Sequence, residues 1–179
     1  MQPIKKVNIS YQFFDHSHPR LKFANQAISE MTGGVVLQEI FPNSLFIELG
    51  KPSMLYCISK ELKILLEKIP SSIRLESLGL CLGIYRGVRF DLSLESLWII
   101  NRYTKRFIMV DREGEQKFLY GHNLVTKRII KKVGIENGTR CIIRNPDEEA
   151  LGIGILKKSS KNGQLKNVQD LGCYLRKED

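Results

Sequence analysis

The residues of this 179-residue chain whose types and spacing could do chemistry are mostly cations. Lys127, Arg128, Lys131 and Lys132 form two i,i+4 pairs, so on a helix they would make one cationic stripe opposite Ile129, Ile130 and Val133. Such a stripe suits a phosphate backbone; the alternative is an ordinary amphipathic helix with a basic polar face. Lys157-Lys158 follows a strand-like run at residues 150–156, and neighbours on a strand point to opposite faces. Both can engage a phosphate chain only where the strand ends or bulges, which Ser159, Ser160 and Asn162-Gly163 favour. The alternative there is a sheet edge guarded by lysines. Arg102, Lys105 and Arg106 could extend a cationic footprint. Tyr120 is the aromatic best suited to stack on a base, although an aromatic beside Phe118 and Leu119 more often packs in a core.

Catalytic and metal chemistry finds less support. Asp15-His16-Ser17-His18 lacks a third ligand at metal-site spacing and reads as a surface loop. His122 has no nucleophile, orienting acid or oxyanion signature beside it. Gly152-Ile153-Gly154 has Lys157 where a dinucleotide fingerprint needs its third glycine, and it reads as a strand. Cys57, Cys81, Cys141 and Cys173 stand too far apart for a local zinc or redox pair, and three lie in apolar stretches as reduced core thiols. No catalytic residue, cofactor or metal is expected.

These side chains must be positioned by two kinds of structure. Leu21, Ala24, Ile28 and Met31 recur at helical spacing after Pro19, and Gly33-Gly34 supplies the stop. Strands are expected at residues 35–38, 45–49 and 54–58. Ser59 caps a helix with Leu62, Leu65, Leu66 and Ile69 on one face, closed by Pro70. Residues 78–85 and 88–94 flank Arg86-Gly87 as a hairpin, with Gly79, Gly83 and Gly87 relieving crowding in a bent strand. A helix through Leu94, Leu97, Trp98 and Ile99 leads to a domain boundary at residues 101–103. Beyond it the chain reads as mostly β: a strand at 105–110, a charged turn at 111–114, a loop at 134–138, and strands at 139–144 and 150–156 joined through Asn145-Pro146-Asp147. Several short, evenly spaced strands in so short a stretch indicate a small barrel.

Composition agrees with a folded, polyanion-facing protein. Hydrophobic residues make up 42% and charged residues 26%, which excludes wholesale disorder. The net charge is +9, and it is unevenly placed: residues 1–99 hold 11 basic and 9 acidic side chains, residues 100–179 hold 17 and 10. The polyanion-facing surface is therefore expected in the second half. No apolar run approaches the roughly 18 residues of a membrane span, and residues 1–6 are charged where a signal peptide needs an apolar core, so a soluble, unsecreted protein is expected.

Four segments carry a family resemblance: Leu78-Gly79-x-Cys81-x-Gly83, Lys117-Phe118-Leu119-Tyr120-Gly121, Ala150-Leu151-Gly152-Ile153-Gly154 and Asp170-Leu171-Gly172-x-Tyr174-Leu175-Arg176. Together they resemble the Nip7 ribosome-biogenesis proteins, densely from about residue 77 onward. The family's Asn-His after Phe-Leu-Tyr-Gly is His122-Asn123 here, which leaves the role of both open, and the short segment at 165–169 is similar to the archaeal members. The resemblance implies an α+β chain: an N-terminal α/β (pre-PUA) domain with a mostly antiparallel sheet over residues 1–102, then a PUA-type β-barrel that binds RNA over residues 103–179. It also implies Lys157, Lys158 and Lys161 as RNA contacts.

The expected function is RNA binding in ribosome biogenesis, on the large-subunit ribosomal RNA precursor and without catalysis. Other assembly proteins are the expected partners of the N-terminal domain. The alternatives are an RNA-modification accessory or enzyme that docks tRNA through the PUA domain, and an N-terminal docking module beside a merely soluble basic barrel. The expected location is cytoplasmic in an archaeon and nucleolar or nuclear in a eukaryote.

Overall fold

In a computed structural model, residues 11–70, 73, 75–157 and 163–177 are described. The chain is α+β, an antiparallel sheet with helices followed by a curled, PUA-like half-barrel. Its contacts divide it into two units, one of residues up to Ala27 with Val36–Ser96, the other of Ile28–Val35 with Leu97 onward.

The first unit is built on a five-stranded antiparallel sheet in chain order: β1 (Tyr11–Phe14), β2 (Leu45–Leu49), β3 (Met54–Ile58), β4 (Leu80–Arg86) and β5 (Arg89–Leu92). Alternation along β2 and β3 sends Ile47, Leu49, Tyr56 and Ile58 into one cluster, where Leu66 and Leu78 join them. The helix α1 (Leu21–Thr32) starts here, and its last turn belongs to the second unit. It stops as expected, with Gly33 and Gly34 N–H groups both donating to the Ser29 carbonyl at 2.8 and 3.0 Å.

Several local expectations change. The strand expected at 35–38 gives way to one helical turn, α2 (Leu37–Ile40). The Asn25 side chain accepts from the Leu37 N–H at 2.9 Å and Glu39 accepts from the Val36 N–H at 3.1 Å, so the free donors of a helical start are satisfied. Ser59 caps α3 (Lys60–Leu66) by accepting from the Leu62 N–H at 3.2 Å, but Leu65 is exposed while Leu66 is buried. The β4–β5 turn is Gly87-Val88, one residue later than expected, because Arg86 pairs with Arg89. Gly83 relieves crowding as expected: a Cβ there would collide with the Asp91 carbonyl.

The helix α4 (Leu94–Tyr103) continues through the residues expected as a linker. The second unit then runs through β6 (Phe107–Val110), α5 (Arg112–Leu119), β7 (Leu124–Val125), β8 (Ile129–Val133), β9 (Arg140–Arg144), β10 (Ala150–Lys157) and β11 (Gln164–Asp170). What reads as a charged turn at 111–114 is a helix start, since the Asp111 carboxylate accepts from the Gly114 N–H at 2.6 Å. The turn after β9 is as expected: Asn145 Oδ1 accepts from the N–H groups of Asp147 and Glu149 at 3.1 and 2.9 Å.

The sheet order, β7-β11-β10-β9-β6-β8, itself requires curvature. Its two outermost strands, β7 and β8, are separated in the chain by only the 3-10 turn Thr126–Arg128. Laid flat, six strands would put these edges about 24 Å apart, whereas that link reaches at most about 14 Å. The sheet therefore curls until its edges approach. The seam is tied on both sides, by the Thr126 N–H to the Gly163 carbonyl (3.3 Å) and the Asp111 N–H to the Arg128 carbonyl (2.9 Å). Inside the curl Ile108, Val110, Phe118, Leu124, Cys141, Ile143, Leu151, Leu156 and Leu165 form the core.

Outside that core, Arg144 is only 7% exposed and has no carboxylate partner among the described residues. Its guanidinium donates to Asn101 Oδ1 (2.6 Å) and to the carbonyls of Asn101 (2.7 Å) and Thr104 (3.4 Å), and it stacks 4.0 Å from the Phe107 ring centre. Thr104 Oγ1 in turn donates to the Met31 carbonyl at 2.8 Å and accepts from the Arg106 N–H at 3.0 Å. Arg144→Ala leaves those acceptors without their donor, and the folded state should lose about 3 kcal/mol, read as a lower urea midpoint. Arg144→Lys should recover only part of it, because an ammonium lacks the planar fork; a midpoint unchanged in both variants would refute the role. Burial pushes the Cys141 thiol up to about 12, so at pH 8 roughly one molecule in ten thousand carries the thiolate. Iodoacetamide should accordingly label the partly exposed Cys173 long before Cys141 in the folded protein, and both equally after denaturation.

Candidate nucleic-acid interface

The structure does not place the four cations at 127–132 on a helix. Ile129, Ile130 and Val133 are β-branched and favour the strand β8, so the stripe is broken. Lys131 pairs with Met109 and lies 5.7 Å from the Phe107 ring centre, while Lys132 pairs with Ile108 and so points to the other face. Arg128 is taken up internally: it bridges Asp111 at 3.2 Å and also Glu113, and its Nε is buried without a hydrogen-bond partner. Asp111 is held below the usual carboxylate range, first by the Gly114 N–H it accepts and then by Arg128. Of the four, Lys127 is left exposed in the seam turn with no carboxylate partner among the described residues.

The curl brings Lys127 to Lys157. Val125, Gln164 and Lys157 lie side by side across β7, β11 and β10, and Lys127 follows Val125 by two residues in the seam turn, so both lysines stand at the same end of the sheet. Lys157 is exposed on the face opposite the core residue Leu156. Lys158 and Lys161 lie outside the described residues; in the sequence they fall between β10 and β11.

Sequence reasoning missed one member of this group. Lys166 pairs with Ile155, which puts it on the same outer face as Lys157, a diagonal neighbour about 7–8 Å away. It is exposed, and its core-facing neighbour is Leu165. The period-two pattern Gln164, Lys166, Val168 around buried Leu165 was the available signal.

Tyr120 is not part of the core. Phe118 is fully buried, but Tyr120 follows the end of α5 with 62% of its surface open. It borders an apolar recess of about 350 Å³ lined by Gln116, Leu119, Leu171, Gly172, Leu175 and Arg176. The Asp-x-Gly-x-Tyr-x-Arg segment builds that recess. Buried Asp170 accepts from both Arg176 terminal nitrogens, at 2.9 and 3.0 Å, and Arg176 also donates to the Leu119 carbonyl. A Cβ at Gly172 would strike the same carbonyl, so only glycine lets the two 3-10 turns Leu171–Cys173 and Leu175–Lys177 close on the end of α5. The glycine pair in β10 is likewise a packing device: a Cβ at Gly154 would sit 2.9 Å from Ile143 Cδ1 and 3.0 Å from Leu165 Cδ1.

The remaining candidates are locally engaged. Asn123 Oδ1 accepts from the Asn167 N–H at 2.8 Å, and the Asn167 amide donates to the Phe118 carbonyl and Asp170 at 2.8 and 3.0 Å, so the second residue of His122-Asn123 fastens β11. His18 stacks on Phe14 at 3.9 Å between ring centres, and Asp15 accepts from the backbone and hydroxyl of Ser17 at 2.9 and 2.6 Å. No group of three or more metal-ligating side chains occurs among the described residues. No described helix is long and apolar enough to cross a membrane.

Comparison with known proteins agrees with this architecture. Residues 106–179 match the family model described as the UPF0113 PUA domain. The chain is 32% identical over 115 residues to the 60S ribosome subunit biogenesis protein NIP7 of Saccharomyces cerevisiae, and 29% identical over 119 residues to that of Schizosaccharomyces pombe. Both matches cover 59% of this chain and 64% of the relative, so the chain spans just under two thirds of the curated relatives it matches. Its fold is similar to a conserved PUA domain protein from Thermoplasma acidophilum, with a TM-score of 0.59 at 13% identity over 94% of this chain and 99% of that one. A hypothetical protein from the hyperthermophilic archaeon Pyrococcus horikoshii OT3 gives 0.57 at 13% identity, over 93% and 99%. The chain is thus similar to the Nip7 proteins across its aligned residues, and its residues 106–179 are similar to the UPF0113 PUA domain.

Proposed function

We propose that this chain is a ribosome-biogenesis factor that binds the large-subunit ribosomal RNA precursor through residues 103–179 and performs no chemistry of its own. The observation that carries the reading is the exposed group Lys127, Lys157 and Lys166, cations without a carboxylate partner among the described residues, gathered at one end of a PUA-type sheet. Phosphates drawn to them release condensed counterions, which supplies affinity without sequence preference. Tyr120, beside its apolar recess, is the proposed stacking partner for an unpaired base. Lys158 and Lys161 extend the same group in the proposal, while Arg128, Lys131 and Lys132 contribute at most to the surrounding field.

Residues 1–102 are proposed to meet other ribosome-assembly proteins. The likeness to yeast proteins named for 60S subunit biogenesis supports the setting, and the family model supports RNA as the ligand class. The place of action follows the source, cytoplasmic in an archaeon and nucleolar or nuclear in a eukaryote.

Replacing Lys127, Lys157 and Lys166 together by Ala should lower the slope of log K against log salt by about 2, at roughly 0.7 per phosphate contact on a single strand. The measurement is fluorescence anisotropy with a labelled precursor transcript from 50 to 200 mM salt, and an unchanged slope would remove these residues from the interface. Tyr120→Ala should weaken binding by about 1–3 kcal/mol with the salt slope unaltered, and Tyr120→Phe should restore it.

A further inference from the structure

The second unit carries another set of uncompensated cations, away from the Lys127–Lys157 end. Arg144 and Ala150 pair at one end of β9 and β10, whereas Lys157 is seven residues along β10 at the other. Around the Arg144 end, Arg102, Lys105, Arg106 and Arg144 have no carboxylate partner among the described residues. Arg106 is consumed by carbonyls, donating to Gly134 at 2.8 Å and Glu30 at 3.3 Å, and Arg144 is buried beneath the last turn of α4. Arg102 and Lys105 are exposed.

The same helix presents the chain's single tryptophan. Trp98 is 55% exposed, Tyr103 is exposed as well, and the Arg102 guanidinium lies 5.1 Å from the Trp98 ring centre. Trp98 and Arg102 fall at i and i+4, on one face of α4, and Lys105 follows two residues beyond the helix end. A large aromatic left in solvent beside cations is costly to keep for packing alone and is suited to a flat, anionic partner. At the same end, the Glu148 carbonyl accepts from the Asn101 side chain at 3.0 Å.

We propose that the Trp98–Arg102 face of α4, with Lys105 just beyond the helix end, is a second RNA contact, which takes an unpaired base on the Trp98 ring and its flanking phosphates on Arg102 and Lys105. This rests on the RNA-binding reading above and extends it to a separate surface. The guanidinium on the ring rigidifies it and enriches it in positive charge, so a base stacks on an already oriented plane.

The sole tryptophan makes the test direct. The full chain is titrated with a 12-nucleotide oligouridylate while Trp98 emission is followed, and a fluorescein-labelled copy of the same oligonucleotide reports total binding by anisotropy. Emission should be quenched with the same midpoint as the anisotropy rise. Trp98→Ala should weaken binding about tenfold and Trp98→Tyr should regain most of it, both with an unchanged melting temperature, since the ring is exposed. Decaglutamate, a polyanion without bases, should leave the emission unaltered. Anisotropy that rises with constant emission and no effect of Trp98→Ala would overturn this inference and leave the lysine site standing. Equal quenching by decaglutamate would overturn it in favour of an acidic protein surface. No anisotropy change at all would bring down both this contact and the RNA reading beneath it.

Discussion

A buried guanidinium organises the second unit. Arg144 gives up its hydration, a cost of several kcal/mol for an ion even after relaxation, and donates no hydrogen bond to a carboxylate partner among the described residues. It is compensated by neutral partners: the Asn101 side chain, the carbonyls of Asn101 and Thr104, and the face of Phe107. Those carbonyls lie at the negative end of α4, where a cation is favourably placed. Burial draws the guanidinium below its usual pKa, with Glu148 acting in the opposite direction, yet arginine stays charged in any accessible range. The consequence is that β9, β6 and the end of α4 share one polar knot, extended through Thr104 to the last turn of α1.

With that end fixed, the geometry of the opposite end follows from chain length. A three-residue link between the two outermost strands forces the sheet to curl, and the seam turn must then lie beside β11. This is why Lys127 comes to the same end of the sheet as Lys157 although thirty residues separate them. The glycines serve the same closure: Gly154 lets Ile143 and Leu165 approach β10, and Gly172 lets the chain end lie on α5, leaving Tyr120 at the rim of a recess. Internal pairing then sorts the cations. Arg112, Lys117, Arg128 and Arg176 hold carboxylates and stabilise the fold, which leaves Lys127, Lys157 and Lys166 among the exposed cations available to a polyanion.

Much of this was legible in the residues. Periodicity located α1 and α3, strand-like runs between the breakers Pro42-Asn43 and Lys51-Pro52 located β2 and β3, and Asn145-Pro146-Asp147 announced its turn, because in each case the local signal and the tertiary demand agree. Where they disagree the reading failed. Residues 127–133 carry a helical charge pattern, but their β-branched members and the need to close the sheet prevail. Residues 111–114 are polar enough for a turn, yet Asp111 caps a helix, and only the hydrogen bond to Gly114 distinguishes the two. Tyr120 beside Phe118 looked like core because adjacency in sequence says nothing about where a helix ends. Lys166 went unnoticed because a lone lysine in a short strand is unremarkable until its register beside Ile155 is known. The recognised Asp-x-Gly-x-Tyr-x-Arg segment serves first as a structural clamp, a role that spacing alone does not reveal.

The central claim is that RNA meets the open end of β7, β11 and β10. Amide chemical-shift mapping during titration with an oligoribonucleotide tests it most directly. The account predicts that the largest shifts fall on Lys127, Lys157, Gln164 and Lys166, with Tyr120 and Gly121 following. Shifts confined to α3 and the β1–β3 strands, or a spectrum unmoved at millimolar RNA, would contradict it.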